Sequence, residues 1–440
     1  MFRRHVLSPV ILVAALLVPL AFYGIAVAGI SSDRANLSRE PRKSAEINIH
    51  LPLVMKNYQP PRINVYLPLV MRNYQSPKPL RQFGIAKSRR TLMDYYSDGI
   101  VDMRFGWYVD YAAGLSALPD LGMDYVPMVR VKQWKLKPDS TWTTWCVGCP
   151  YVTPYTYTLS PDVSQIGALV SSHPGMIWAI GNEMERRDWT NNDGTPGMQD
   201  EIVPELYADA YHTVYSIIKS ADPTAQVMIA GLIEATPLRL KYLQRVWDTY
   251  QQRYGQTMPV DVWNIHGFIL QEKSCAAYPS ECYGAEIPAG LDDTSGALYS
   301  LLDNKNLNIL AQQIRAFRTW MKDHGQQNKP LYVTEYGVLM PDWASPGEFT
   351  PEQVRDSYMY PSFDFFLNHT DPTLGYPADG YRLVQRWAWY SLDDDSRFSY
   401  YDRMWDNLNG YLFYSGFEEG RPVGLTSLGL YWKQYVQSLP

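Results

Sequence analysis

Two glutamates, Glu183 and Glu335, each close a short apolar run: Trp178-Ala179-Ile180-Gly181-Asn182-Glu183 and Leu331-Tyr332-Val333-Thr334-Glu335. A carboxyl group there is locally unfavourable, because burial disfavours its charged form unless something pairs with it. One such residue is ordinary. Two, on opposite sides of one cavity, could divide the work of glycosidic cleavage, a carboxylic acid protonating the leaving oxygen while a carboxylate attacks the anomeric carbon. The composition suits a flat, half-polar ligand: 14 Trp, 34 Tyr and 13 Phe among 440 residues, with only 19 % charged. Trp134, Trp142, Trp145 and Trp189 fall in long segments beyond strand candidates, where an exposed ring is a ligand platform.

Such a pair needs elements that bring distant segments together. From residue 82 onward, short apolar runs alternate with helical periodicity, the pattern of parallel strands joined by helices. Eight strands are predicted: Gln82 to Ala86, Val101 to Trp107, Tyr125 to Val131, Met176 to Asn182, Gln226 to Leu232, Val260 to Phe268, Pro330 to Glu335 and Val384 to Tyr390. The spacings Tyr207, Tyr211, Val214, Ile218 and Leu310, Ile314, Phe317, Met321 predict two helices with one apolar face each. Eight strands with intervening helices give an α/β fold, a (β/α)8 TIM barrel, and long segments after strands three, four, six and eight place insertions on its carboxyl-end face. Glu183 then ends strand four and Glu335 ends strand seven.

With these residues in place, the body resembles the clan A glycoside hydrolases, (β/α)8 retaining glycosidases that include cellulase-like, mannanase-like and xylanase-like families. The most specific pieces are Gly181-Asn182-Glu183 and Thr334-Glu335-Tyr336-Gly337. The resemblance implies Glu183 as general acid/base, Glu335 as nucleophile and Asn182 on the sugar 2-hydroxyl. It further implies substrate-binding places for Arg104, His266, Tyr336, Trp387 and Trp389, and Trp134 joins them as a platform. Clan members of the cellulase-like type carry a Tyr two residues after the strand-six His, whereas here the order is His266-Gly267-Phe268. Tyr336 or another Tyr must supply that contact, or the nearest relatives lie elsewhere in the clan; the family within it is not identified. The proposed roles require an ionised Glu335, with Arg104 as the candidate cation, and a drier or more negative surrounding at Glu183. The implied activity is cleavage of β-glycosidic bonds with retention, calling for neither a metal nor a cofactor. The alternative is a non-catalytic carbohydrate-binding barrel at the cell surface, since a fold does not guarantee chemistry.

Ahead of this domain, assigned to residues 81–440, two segments read differently. Arg3, Arg4 and His5 precede an uncharged run over residues 6–30, and Ala26-Val27-Ala28 forms a small-x-small cleavage site. Residues 1–28 are therefore a signal peptide or a membrane anchor, and either places the body outside the cytoplasm, secreted or anchored through residues 6–30. Residues 29–80 read as a linker with a tandem LPLVM(K/R)NYQ repeat, INIHLPLVMKNYQ followed by INVYLPLVMRNYQ, too few copies for a solenoid. Four cysteines, Cys146, Cys149, Cys275 and Cys282, suit disulfides in an oxidising compartment, with a four-thiolate zinc site as the competing reading. A formal charge of -6 gives no support for a nucleic-acid partner. Asp393-Asp394-Asp395 reads as a solvated turn and Glu185 as a loop residue on the surface.

Overall fold

The structure, a computed structural model, describes residues 77–87, 90–115, 121–189, 197–281, 284–340, 344–394, 410–415 and 423–440. The signal or anchor, the tandem repeat, Cys282 and Asp395 lie outside the described residues. All eight predicted strands form: β1 (Leu80–Ala86), β2 (Phe105–Val109), β3 (Met128–Gln133), β4 (Ile177–Ile180), β5 (Gln226–Ile229), β6 (Trp263–His266), β7 (Leu331–Tyr336) and β8 (Arg386–Tyr390). They close into a parallel ring. β1 pairs with both β2 and β8, β7 with β6 and β8, and β4 with β3 and β5. The two remaining seams are the Asp124–Tyr125 segment, which joins β2 and leads into β3, and the parallel bridges Met228↔Val262 and Leu232↔Ile265 between β5 and β6.

Local sequence explains the helices around this ring. α1 (Val163–Ser172) is capped by Asp162, whose side chain accepts from the Ser164 N–H. α2 (Pro204–Ala221) and α3 (Pro237–Tyr254) each begin with proline, where the missing N–H costs nothing, and α3 ends at Gly255 in the left-handed conformation. α4 (Leu307–Asp323) starts at Asn306, and the face Leu310, Ile314, Phe317, Met321 is fully buried, as is Tyr207, Tyr211, Val214, Ile218 on α2. α5 (Tyr360–Asn368) and α6 (Ser427–Ser438) complete the outer layer. Among the described residues between β1 and β2 the helical segments are 3-10 turns, at Leu92–Tyr95 and Ile100–Met103.

Side chains partition by strand parity. The lumen holds Ala86, Trp107, Val109, Met128, Ala179, Met228, Val262, Tyr332 and Ala388, while the intervening strand residues pack against the helices. At the carboxyl ends the long loops are tied to one another. The Ala289 N–H donates to the Glu185 carbonyl at 2.8 Å, and Arg187 Nε donates to the Ile287 carbonyl at 3.2 Å. Glu201 receives Lys135 in a buried ion pair, the Tyr151 hydroxyl at 3.0 Å and the Asp188 N–H at 2.8 Å. The loop after β3 is stapled by a Cys146–Cys149 disulfide, and Cys275 is also disulfide-bonded, so a four-thiolate zinc set does not form.

Candidate active site

Three strand ends converge on one point. Past β4 the chain turns sharply: Gly181 takes φ +89 and Glu183 takes φ +43, a left-handed conformation that costs a residue with a side chain about 1–3 kcal/mol. The Glu183 N–H secures that turn by donating to the Gly231 carbonyl at 3.1 Å. On β6, Trp263 and Ile265 face the helices, so Asn264 and His266 face inward. On β7 a strict period of two from Tyr332 in the lumen would place Tyr336 inside as well. Instead the register slips, Ile265 pairing with Val333 but His266 with Glu335, and this irregularity turns Glu335 toward the cavity and Tyr336 away from it.

His266 bridges the two glutamates. Its Nδ1 lies 3.0 Å from Glu183 Oε1 and its Nε2 lies 3.4 Å from Glu335 Oε1, and one oxygen of each carboxylate and a ring nitrogen all fall within 4.8 Å of one another. Each ring nitrogen is aimed at a different carboxylate, a geometry that links the two acids. Glu183 Oε2 also pairs with Arg186 at 2.9 Å, and that guanidinium lies 4.0 Å over the Trp189 ring. All three bridging residues are buried.

The surroundings split the two carboxyls. Burial alone would raise Glu183, but the Arg186 guanidinium and the His266 ring outweigh it and hold the group down at about 2. Burial pushes Glu335 up, the charge of Glu183 adds to that, and His266 and the Tyr111 hydroxyl only partly oppose it, leaving the group at about 7. Burial disfavours the charged His266, yet the two glutamates raise its pKa. The Arg186 ion pair thus favours the ionised form at Glu183, and burial favours the protonated form at Glu335. This is the reverse of the expectation from sequence, because the cation arrives beside Glu183, from a residue one helical turn along its own loop.

No protein-family model and no curated protein matches the chain. Several solved structures are similar. A GH128 (subgroup II) endo-beta-1,3-glucanase from Pseudomonas viridiflava is 14 % identical, with a TM-score of 0.43, over 82 % of this chain and 98 % of that chain. Xylanase 10B from Thermotoga maritima is 14 % identical, with a TM-score of 0.39, over 81 % and 96 %. A GH128 (subgroup VII) oligosaccharide-binding protein from Trichoderma gamsii is 12 % identical, with a TM-score of 0.39, over 83 % and 97 %. At these identities and TM-scores the family is not assigned.

Of the residues expected at the site, Glu183, Glu335 and His266 come together, with Asn182 preceding Glu183 in the chain. Asn182 Nδ2 donates to Gln199 Oε1 at 3.3 Å, and its Oδ1 has no hydrogen bond among the described residues, leaving an acceptor beside Glu183. Arg104 does not belong here. β2 starts at Phe105 rather than Val101, so Arg104 precedes the strand, and its guanidinium holds the carbonyls of Lys78, Val436, Leu439 and Pro440 at 2.7–3.0 Å at the opposite end of the barrel. Trp387, Trp389 and Tyr336 also fall outside. They pack among Phe83, Phe363 and Phe366 between strands and helices, with Tyr336 and Trp389 centroids 5.2 Å apart. Strand parity places Tyr390 rather than either Trp over the cavity, edge-on to Phe268 at 5.8 Å. Trp134 lies on the expected face, 6.1 Å from Trp142, but no described contact brings it to a glutamate. Glu185 is fully buried beside Arg239, not on the surface, and Asp393 is buried, accepting from the Arg90 N–H and the Tyr95 hydroxyl, not a solvated turn.

Sequence reasoning missed Tyr111, Arg186 and Gly231. Tyr111 follows β2 with φ +61, and its hydroxyl, without a hydrogen bond of good geometry among the described residues, bears electrostatically on Glu335 where Phe268 cannot. Arg186 was legible only as a cation three residues after Glu183. Gly231 makes room for the bridge: a Cβ there would stand 2.4 Å from His266 Cδ2 and 2.5 Å from Nε2. Gly231→Ala should therefore rotate the imidazole off its two partners. The expected result is a loss of turnover on the order of 10²-fold from the misplacement, with about 1–3 kcal/mol lost from overpacking. Steady-state kinetics and urea unfolding read the two effects, and wild-type values in both would show that the ring has no fixed role.

Proposed function

We propose that the chain is an exported retaining glycoside hydrolase that cleaves β-linked glycans by double displacement. The observation that carries this reading is the meeting of Glu183 and Glu335 at the carboxyl ends of β4 and β7, with an oxygen of each within 4.8 Å. That proximity favours retention, since retaining pairs sit about 5–5.5 Å apart whereas an inverting pair leaves roughly 6.5–9.5 Å for a water. In the first step Glu183 gives a proton to the leaving oxygen as Glu335 attacks C1. In the second, Glu183 takes a proton from water as that water releases the sugar. Tyr111 and His266 donate toward Glu335 as its charge develops, and Asn182 Oδ1 accepts from a sugar hydroxyl. The basic and apolar segment at residues 3–30 supports export, with the mature domain secreted or anchored at the surface.

Product stereochemistry tests the proposal. Incubation with β-glucans, xylans, mannans and aryl β-glycosides, followed by proton NMR in the first minutes, should show the β-anomer forming before mutarotation. Initial release of the α-anomer would overturn retention. The second reading, a non-catalytic carbohydrate-binding barrel, is favoured by one feature: the Arg186 ion pair keeps Glu183 without the proton that an acid catalyst needs. Glycan binding by calorimetry, with no cleavage of any substrate in that panel, would establish it instead.

A further inference from the structure

A retaining mechanism starts with Glu183 protonated and Glu335 ionised, whereas here Glu183 pairs with Arg186 at 2.9 Å and, among the described residues, no Lys or Arg pairs with Glu335. Something must carry one proton across. His266 reaches both carboxylates, through Nδ1 to Glu183 Oε1 at 3.0 Å and through Nε2 to Glu335 Oε1 at 3.4 Å. Among the described residues neither Nε2 nor Glu335 Oε1 has a hydrogen bond, so the pair is poised to form one over a short movement. The ring is held for this purpose from three sides. Gly231 admits its face, Phe268 meets it edge-on at 6.1 Å, and the His266 N–H donates to the Leu232 carbonyl at 2.6 Å.

We propose that His266 is a proton relay that converts the resting site into the reactive one. The inference rests on the glycosidase reading and adds a step to it. At rest the imidazole carries its hydrogen on Nδ1, donated to the Glu183 carboxylate, and its Nε2 lone pair faces the Glu335 carboxyl. On substrate binding Glu335 passes its proton to Nε2, while the Nδ1 proton passes to Glu183 Oε1. One proton leaves Glu335, one reaches Glu183, the ring changes tautomer and its charge is unchanged. The product state has the Nε2–H donated to an ionised Glu335 and Nδ1 accepting from a protonated Glu183, which is the state double displacement requires. The charged and titratable groups that bear on the bridge are Glu183 with Arg186, Glu335 with Tyr111, and Glu185 behind them. The resting positions of the protons on the two acids agree with the low Glu183 and the raised Glu335.

His266→Gln removes the relay while keeping a polar side chain of similar reach. On glycosides with alkyl or sugar leaving groups, turnover should fall by about 10²-fold or more, the ordinary worth of general acid catalysis. On 2,4-dinitrophenyl glycosides, which leave without a proton, the loss should shrink to less than about ten-fold once pH exceeds about 7 and Glu335 ionises unaided. Equal losses on both substrates, with the pH limbs where the wild type has them, would reduce His266 to a structural residue and overturn the relay. A readout independent of activity separates this from failure of the glycosidase reading itself. The nitrogen-15 signals of the imidazole should titrate lower in Glu335→Gln than in the wild type, because burial then acts without that carboxylate. An unchanged titration means there is no bridge and no relay, whatever the protein hydrolyses. Wild-type protein that cleaves no glycoside, yet shows the shifted titration, refutes the glycosidase reading and with it the catalytic role of the relay.

Discussion

Replacing Glu335 by Gln is expected to lower turnover by on the order of 10⁴-fold or more, since a side chain that forms the covalent intermediate has no substitute among its neighbours. Glu183→Gln should behave differently. Its loss is large for poor leaving groups and small for dinitrophenyl glycosides, and added azide should accelerate the latter by attacking the glycosyl-enzyme from the side where Glu183 would have activated water. A 2-fluoro glycosyl inhibitor followed by peptide mapping should find the label on Glu335. This set of outcomes is sharp because the resting electrostatics run the other way. With Arg186 at 2.9 Å, Glu183 is the better-stabilised anion of the two. Labelling of Glu183, and azide rescue of the Glu335 variant, would exchange the two roles.

The same substitution has a signature in stability. Burial raises the folded-state pKa of Glu335 from 4.5 to about 7, so the folded protein keeps a proton that the unfolded chain releases. Its contribution to stability is complete below about 4.5 and is lost as pH rises toward about 7. Gln carries no such dependence. The Glu335→Gln variant should therefore gain on the wild type in urea midpoint between pH 5 and pH 8, even as it loses activity. A difference that narrows over that interval would show that Glu335 is already ionised in the folded protein.

Arg239→Ala is expected to destabilise the domain by about 3–5 kcal/mol, among the largest single effects available, because it strands buried carboxylates without their cation. Arg239 is fully buried at the start of α3. Its Nε lies 3.1 Å from Glu272 Oε1, its Nη1 lies 3.7 Å from Glu185 Oε1, and its Nη2 donates to the Ala285 and Glu286 carbonyls at 2.6 Å. Two buried acids, Glu185 and Glu272, pair with this one guanidinium, and Glu234 lies within its electrostatic reach. Burial, with Glu272 adding to it, holds Glu234 well above the ordinary carboxylate range. Arg239 thereby fastens the loops after β4 and β6 to α3, directly behind Glu183. Urea unfolding measures the loss. The pair Arg239→Met with Glu272→Leu should recover part of it, since it removes the nearer of the two carboxylates that lose their cation and leaves only Glu185 unpaired. Equal destabilisation by the single and double variants would mean the ion pair itself contributes nothing.

Local pattern carried much of this protein. Each predicted strand and both predicted helices form, because period and punctuation are properties of neighbouring residues. Glu183, Glu335 and His266 were legible because each sits at or just past the carboxyl end of an apolar run, and in an alternating α/β chain those ends gather on one face. The aromatic excess was less informative. Six of the 14 Trp, at positions 107, 178, 263, 387, 389 and 432, are among the largest fully buried side chains, so much of that load is core.

What the sequence determined by itself was therefore the order of elements and the two acids at their ends. The rest depended on contacts between residues far apart in the chain. Whether Arg104 stood before or after its strand turned on a start four residues later than the apolar run suggested. Whether Trp389 or Tyr390 faced the cavity turned on parity, and on β7 a register slip against β6 reversed the parity that the sequence implied. The protonation of the two glutamates was the furthest from reach, since it is set by Arg186, His266 and Tyr111, which arrive from the β4 loop, β6 and the end of β2. A carboxyl group's charge in a buried site is a sum over neighbours, and only the closed barrel decides who those neighbours are.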